Sequence, residues 1–182
     1  MGSTVHMASA RMREMSCKLA VVAVAFSALP AEASQPRIGF TSFGSAKIGM
    51  SEHEVEQAVG QKLVASDADD DPAGCRYMGS ATGTPGVQFM MIGGKLARMD
   101  VRSPRVKTVS GAHIGMSQSE IIQLYGRRAA VSPHAYTSPY GHYITIHSED
   151  GASGIRFETD KGKVTTFYAG TAEAIQFIEG CL

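Results

Sequence analysis

The sequence predicts an α+β fold of two tandem repeats, each a short capped helix packed on a small antiparallel sheet. Three observations predict it. A fifteen-residue segment recurs at an offset of 66, each copy carries the chemistry of a capped helix, and each is followed by a hairpin pattern that recurs at an offset of 68.

The chain opens on a segment that reads as a secretory signal peptide, residues 1–33. Arg11, Arg13 and Lys18 form a basic start, and Leu19 to Leu29 is an apolar run of 11 residues. That run is too short for a bilayer, which needs about 20 residues. Ala31-Glu32-Ala33 supplies an A-x-A cleavage site, so Ser34 is the expected mature start. Cys17 precedes the apolar run, where it is no lipidation cysteine, and the mature chain is expected to be unanchored, without a membrane span. The 182 residues carry 17 basic and 17 acidic side chains, a balance that points away from nucleic acid and from an anionic membrane surface as partner.

The first repeat is assigned to residues 34–102 and the second to 103–182. Residues 46–60, AKIGMSEHEVEQAVG, match 112–126, AHIGMSQSEIIQLYG, at eight of fifteen positions. Ser51 with Glu54, and Ser117 with Glu120, form S-x-x-E capping boxes, in which the hydroxyl and the carboxylate each satisfy a free backbone N–H. Met50 with Val55, and Met116 with Ile121, have the spacing of hydrophobic staples. Gly60 and Gly126 suit the left-handed position that ends a helix.

Downstream, GVQFMMIGGKLARMDV at 86–101 parallels GIRFETDKGKVTTFYA at 154–169. Alternation of apolar and polar residues, with Gly93-Gly94 and Lys161-Gly162 as tight turns, makes each a hairpin. Cys75 to Met78 and His142 to His147 read as one further strand per repeat, and Ile175 to Glu179 as a last strand or a helix, with strand preferred. Polar loops are expected at 65–74 and 132–141.

The I-G-M-S-x-x-E-(V/I) opening with its helix-ending glycine, present twice, resembles the tandem units of the β-lactamase-inhibitory-protein-like (BLIP-like) fold. A single unit is similar to outer-membrane-assembly lipoproteins of the SmpA/OmlA type. The resemblance rests on scaffold residues, Ile48, Gly49, Met50, Ser51, Glu54 and Gly60 with their second-copy partners. It implies a fold and a binding habit.

Signal-peptide removal leaves Cys75 and Cys181 in an oxidising compartment, periplasmic or external. An intramolecular disulfide is the simple reading; two free thiols or an intermolecular pair are the alternatives. Closing a loop of about 100 residues stabilises a fold by ~4.7 kcal/mol in the chain-entropy model.

Several constellations suggest chemistry and have plainer explanations. Glu54 and Glu120 could pair as acid and base, but capping accounts for both. Asp67, Asp69, Asp70 and Asp71 lack the central glycine and distal glutamate of a calcium loop and read as a solvated turn. His142 and His147 fall on opposite faces of a strand, which argues against zinc chelation with His134. No G-x-S-x-G, P-loop, H-E-x-x-H or dinucleotide fingerprint occurs, so neither catalysis nor a cofactor or metal is expected.

The remaining feature is the aromatic richness of the second half. If Ile144, Ile146, Ile155 and Phe157 face a helix, then Tyr143 and Arg156 face the other way, on an open sheet face. With Tyr136, Tyr140 and Tyr168 they form the predicted partner-binding set, because tyrosine and arginine anchor protein interfaces. The plainer alternative has the tyrosines filling the gap between repeats. The function expected is that of an exported, non-enzymatic binding protein engaging a protein or envelope component; a structural factor in outer-membrane assembly is the alternative.

Overall fold

Each serine of the two capping boxes starts a helix in the structure, a computed structural model that describes residues 36–65, 74–80 and 86–181, together with residues 1, 2 and 4. The chain divides into two units, Met1–Ala33 and Ser34–Leu182. The expected signal peptide coincides with the first and, apart from those three residues, lies outside the described part, as do Asp67, Asp69, Asp70 and Asp71.

In chain order the described elements of the second unit are β1 (Ser42–Phe43), β2 (Ala46–Lys47), α1 (Glu52–Val59), β3 (Leu63–Ala65), β4 (Cys75–Ser80), β5 (Val87–Ile92) and β6 (Lys95–Val101). There follow α2 (Gln118–Tyr125), β7 (Ala130–Pro133), β8 (His142–His147), β9 (Ser153–Asp160) and β10 (Lys163–Thr171). Short 3-10 turns lie at Gly126–Arg128 and Ala174–Gln176.

Both helices close their first turns in the same way. The Glu54 carboxylate accepts from the Ser51 N–H and hydroxyl, each at 2.7 Å, and Glu120 accepts from Ser117 at 2.7 and 2.6 Å. These bonds hold both carboxyls below their ordinary values, so they stay ionised at the positive end of the helix. Each helix start is also pinned to a hairpin. Gly49 N–H donates to Leu96 O and Leu96 N–H to Met50 O, both at 2.8 Å; Gly115, Val164 and Met116 repeat the pair at 2.9 Å. Leu96 and Val164 stand next to bulges at which Ala97 and Thr165 are the extra residues.

The expectation of two helix-on-sheet repeats is corrected here. The fold is mostly β: eight strands form one continuous antiparallel sheet in the order β3-β4-β5-β6-β10-β9-β8-β7, with β1 and β2 as a separate two-stranded ribbon and, among the described residues, only two short helices. The last strand of each half pairs with the other, in the register Val101↔Phe167, Asp100↔Tyr168, Met99↔Ala169 and Arg98↔Gly170. Pairing across the seam needs close backbone approach, and Gly170 allows it: a Cβ there would lie 2.2 Å from Ala97 O. The main apolar core lies between the sheet and the helices, and a smaller cluster with Cys75, Met90, Ala97 and Ala174 lies on the opposite face. The main core includes Phe89, Met99, Ile144, Phe157 and Phe167 from the strands and Val55 and Ile121 from the helices. The Phe157 ring packs on Phe167 at 5.2 Å and on Tyr125 of α2 at 5.8 Å.

Two local expectations also change. Residues 63–65 and 130–133, expected as loop or unassigned, are the edge strands β3 and β7. Residues 175–179 form no strand: β10 already has a neighbour on each side, so no edge is free for them. The chain instead turns, with Ala174 N–H donating to Thr171 Oγ1 at 3.1 Å, and crosses the sheet face away from the helices.

Removing either capping hydroxyl, by Ser51→Ala or Ser117→Ala, is expected to lower the unfolding free energy by about 1 kcal/mol in urea denaturation followed by circular dichroism. No measurable loss in either variant would contradict the capping assignment.

Candidate site on the strapped sheet face

The sheet face away from the helices carries charge and aromatic rings beside a smaller apolar cluster that includes Met90, Ala97 and Ala174, and the C-terminal segment lies over it. Arg98 is the centre. Its guanidinium binds Asp100 through Nε–Oδ2 at 3.0 Å and Nη2–Oδ1 at 2.9 Å, while Nη1 donates to Ala174 O at 2.8 Å and Phe177 O at 2.7 Å. Nη2 also donates to the Tyr77 hydroxyl at 2.6 Å, so every nitrogen of the fork is engaged. Both charged residues are buried.

Buried charges are tolerable only when paired and fully hydrogen-bonded, which this geometry achieves. Burial pushes the Asp100 carboxyl upward while Arg98 pulls it back. Burial also works against the Arg98 charge, yet Asp100 outweighs it and holds the guanidinium above its ordinary value. The Arg98 guanidinium stands 4.3 Å from the centre of the Tyr168 ring. Burial and the Asp100 charge raise the Tyr77 phenol to about 12. Burial and the Glu158 charge raise Tyr168 as well.

A second cluster continues the face across β9 and β8. Tyr168 is the register partner of both Asp100 and Arg156. Arg156 donates from Nε to Thr145 Oγ1 at 3.0 Å and from Nη2 to the Gln176 side chain, and stands 5.1 Å from the Tyr143 ring. His134 stacks on Tyr143 at 4.5 Å with planes 23° apart. The disulfide Cys75–Cys181 ties the last residues of the segment to β4. Thr171, Ala152 O, Arg98, Arg156, the disulfide and the Tyr136 hydroxyl on Glu179 hold residues 172–181 as a strap.

The predicted partner-binding set therefore divides. Tyr143, Arg156 and Tyr168 share one face, as alternation required, but that face is covered: they are 5%, 8% and 3% exposed. Tyr136 and Tyr140, on the loop between β7 and β8, are 65% and 69% exposed. Beside that loop the strap borders an open cleft of about 620 Å³, where Cys75, Ile92, Phe177, Ile178 and Cys181 meet Tyr136 and the polar side chains of Glu173, Gln176 and Glu179, with Ile178 itself 45% exposed. Among the described residues no three His, Cys, Asp or Glu side chains converge as a metal site would require. Likewise, no helix among them is long and apolar enough to cross a membrane.

Arg98, Asp100, Tyr77 and the strap are what sequence reasoning missed. One signal was present: Arg98 and Asp100 are opposite charges two residues apart in a strand that is apolar apart from them and its first residue, Lys95, hence on one face. Because Tyr77 and Tyr168 are raised in the fold, the neutral phenols stabilise it fully below the ordinary phenol value, and that contribution is lost as pH rises from there through the raised values of the folded state. Urea midpoints are expected to hold up to about pH 9.5 and to fall from about pH 10 upward, less steeply in Tyr77→Phe/Tyr168→Phe. A fall of equal steepness in that variant would contradict the burial of these phenols.

No family model and no curated protein matches the sequence. Among solved structures, an extracellular protein containing a SCP domain, from Bacillus anthracis str. Ames, is similar at a TM-score of 0.50 and 11% identity over 84% of this chain and 51% of that one. The chain thus spans about half the length of that structure, and at such identity the likeness is one of fold.

Proposed function

We propose that this is an exported, non-enzymatic binding protein that engages a protein partner through the rim formed by Tyr136, Tyr140 and Ile178 beside the strap cleft. The observation that carries the reading is the pair of tyrosines, each about two-thirds exposed, on a loop whose base is fastened to the sheet. Tyrosine covers large area with few rotamers to immobilise, and a fastened loop has little order left to lose on binding. The cleft beside it offers apolar side chains and the disulfide to a partner's anchor residue.

Export is supported by the disulfide, a bond that persists in oxidising compartments. A non-enzymatic role is supported by how the charged groups are used. Glu54 and Glu120 serve as helix caps, and Arg98 and Asp100 fasten the strap. The burial of Tyr143, Arg156 and Tyr168 supports a supporting role for them beneath the contact surface.

The test compares capture of a partner from an envelope extract by the wild-type chain, by Tyr136→Ala/Tyr140→Ala and by Leu124→Ala, an exposed change on α2. Loss of a saturable wild-type partner by about tenfold or more in the loop variant, with Leu124→Ala unaffected, is expected. Tyr140→Ala alone, which leaves the Tyr136–Glu179 bond in place, separates contact from strap damage. Equal capture by the wild type and a folded loop variant would refute the rim.

A further inference from the structure

We propose that His134 is an acid-sensitive latch for the loop that presents Tyr136 and Tyr140, an inference that rests on the reading of that loop as the contact surface. His134 lies at the loop's base and is buried. Its Nδ1 accepts two backbone N–H groups, from Tyr136 at 3.1 Å and from Thr137 at 3.3 Å. Its Nε2 stands 3.3 Å from a Glu158 carboxylate oxygen. These partners assign the neutral ring with its proton on Nε2, donating to Glu158, because two donors on Nδ1 require a bare lone pair there.

Protonation reverses one side of this arrangement. A proton on Nδ1 turns the acceptor into a donor facing two donors, and both loop amides lose their partner. The other side strengthens: the imidazolium attracts Glu158, and the ring stays stacked on Tyr143. The ring therefore remains on the sheet while the Tyr136 and Thr137 amides are released.

The neighbouring groups fit that direction. From β8, the Tyr143 hydroxyl accepts from Ala135 N–H at 3.4 Å, a further loop contact; His142, next in the strand, alternates to the opposite face. From β9 come Glu158 and Arg156, with Asp160 further along the same face, and from β10 comes Tyr168, whose phenol feels Glu158. From the strap, Glu179 binds the Tyr136 hydroxyl. The loop is closed internally by His134 N–H to Gly141 O at 3.0 Å and Ser138 N–H to His134 O at 3.3 Å, so the opening is confined to the Tyr136–Thr137 segment.

Amide exchange of the isolated protein, followed by NMR, tests the latch without any partner. Protection of the Tyr136 and Thr137 amides is expected to fall about tenfold on acidification from about pH 7.5 to about pH 5, while Ile144 and Ile146 hold. In His134→Asn the amide oxygen can still accept both N–H groups but takes up no proton, so protection should be independent of pH. Wild-type protection that is flat, or that falls in parallel in the variant, overturns the latch and leaves the capture experiment standing. Should the variant not fold, wild-type ring nitrogen shifts at about pH 7.5 decide: an Nε2–H tautomer is expected, and an Nδ1–H tautomer overturns the proposal.

Discussion

Arg98 joins three parts of the chain that are distant in sequence. It sits on β6 at the seam where the two halves of the sheet meet, forms a bidentate pair with Asp100, and holds the carbonyls of Ala174 and Phe177. A buried guanidinium with an unfilled donor would cost more than its ion pair returns, so the strap carbonyls complete the site as much as the site positions the strap. Removing Asp100 would leave a buried cation, and removing the strap would leave two unsatisfied donors. Sheet seam, ion pair and C-terminal path are thus mutually dependent.

That dependence explains where a partner can and cannot bind. An antiparallel sheet commonly leaves one face to solvent, and the alternation of β8 and β9 marks which residues would be there. Here the strap and the β7–β8 loop cover it, and Tyr143, Arg156 and Tyr168 become internal supports. Their stacked and cation–π contacts fix the base of the loop whose tips remain exposed. Rigidity below and exposure above are what a binding loop needs.

Local patterns were legible in the sequence, and long-range pairing was not. Capping boxes, hairpin turns and strand alternation are set by neighbours within about four residues, so Ser51, Ser117, Gly93-Gly94 and Lys161-Gly162 announce themselves. Nothing within β6 or β10 declares that they pair with each other, since the seam depends on Gly170 and on edges left free by other elements. The separate small sheets inferred from the repeated segments therefore merged into one. Of the candidate site, the tyrosines were visible by composition and their facing by alternation. Their burial followed from residues 172–181, whose route was decided by the absence of a free edge on β10 and by the charges of β6. The paired cysteines did indicate where that route ends.

The most direct test of this arrangement is the NMR signature of the Arg98 side chain at neutral pH. A guanidinium with all its donors engaged and no access to solvent should show a resolved, slowly exchanging Nε–H and distinct Nη–H signals, with cross-relaxation to Ala174 and Phe177. An Arg98 Nε–H that exchanges as fast as those of the exposed arginines would contradict the account.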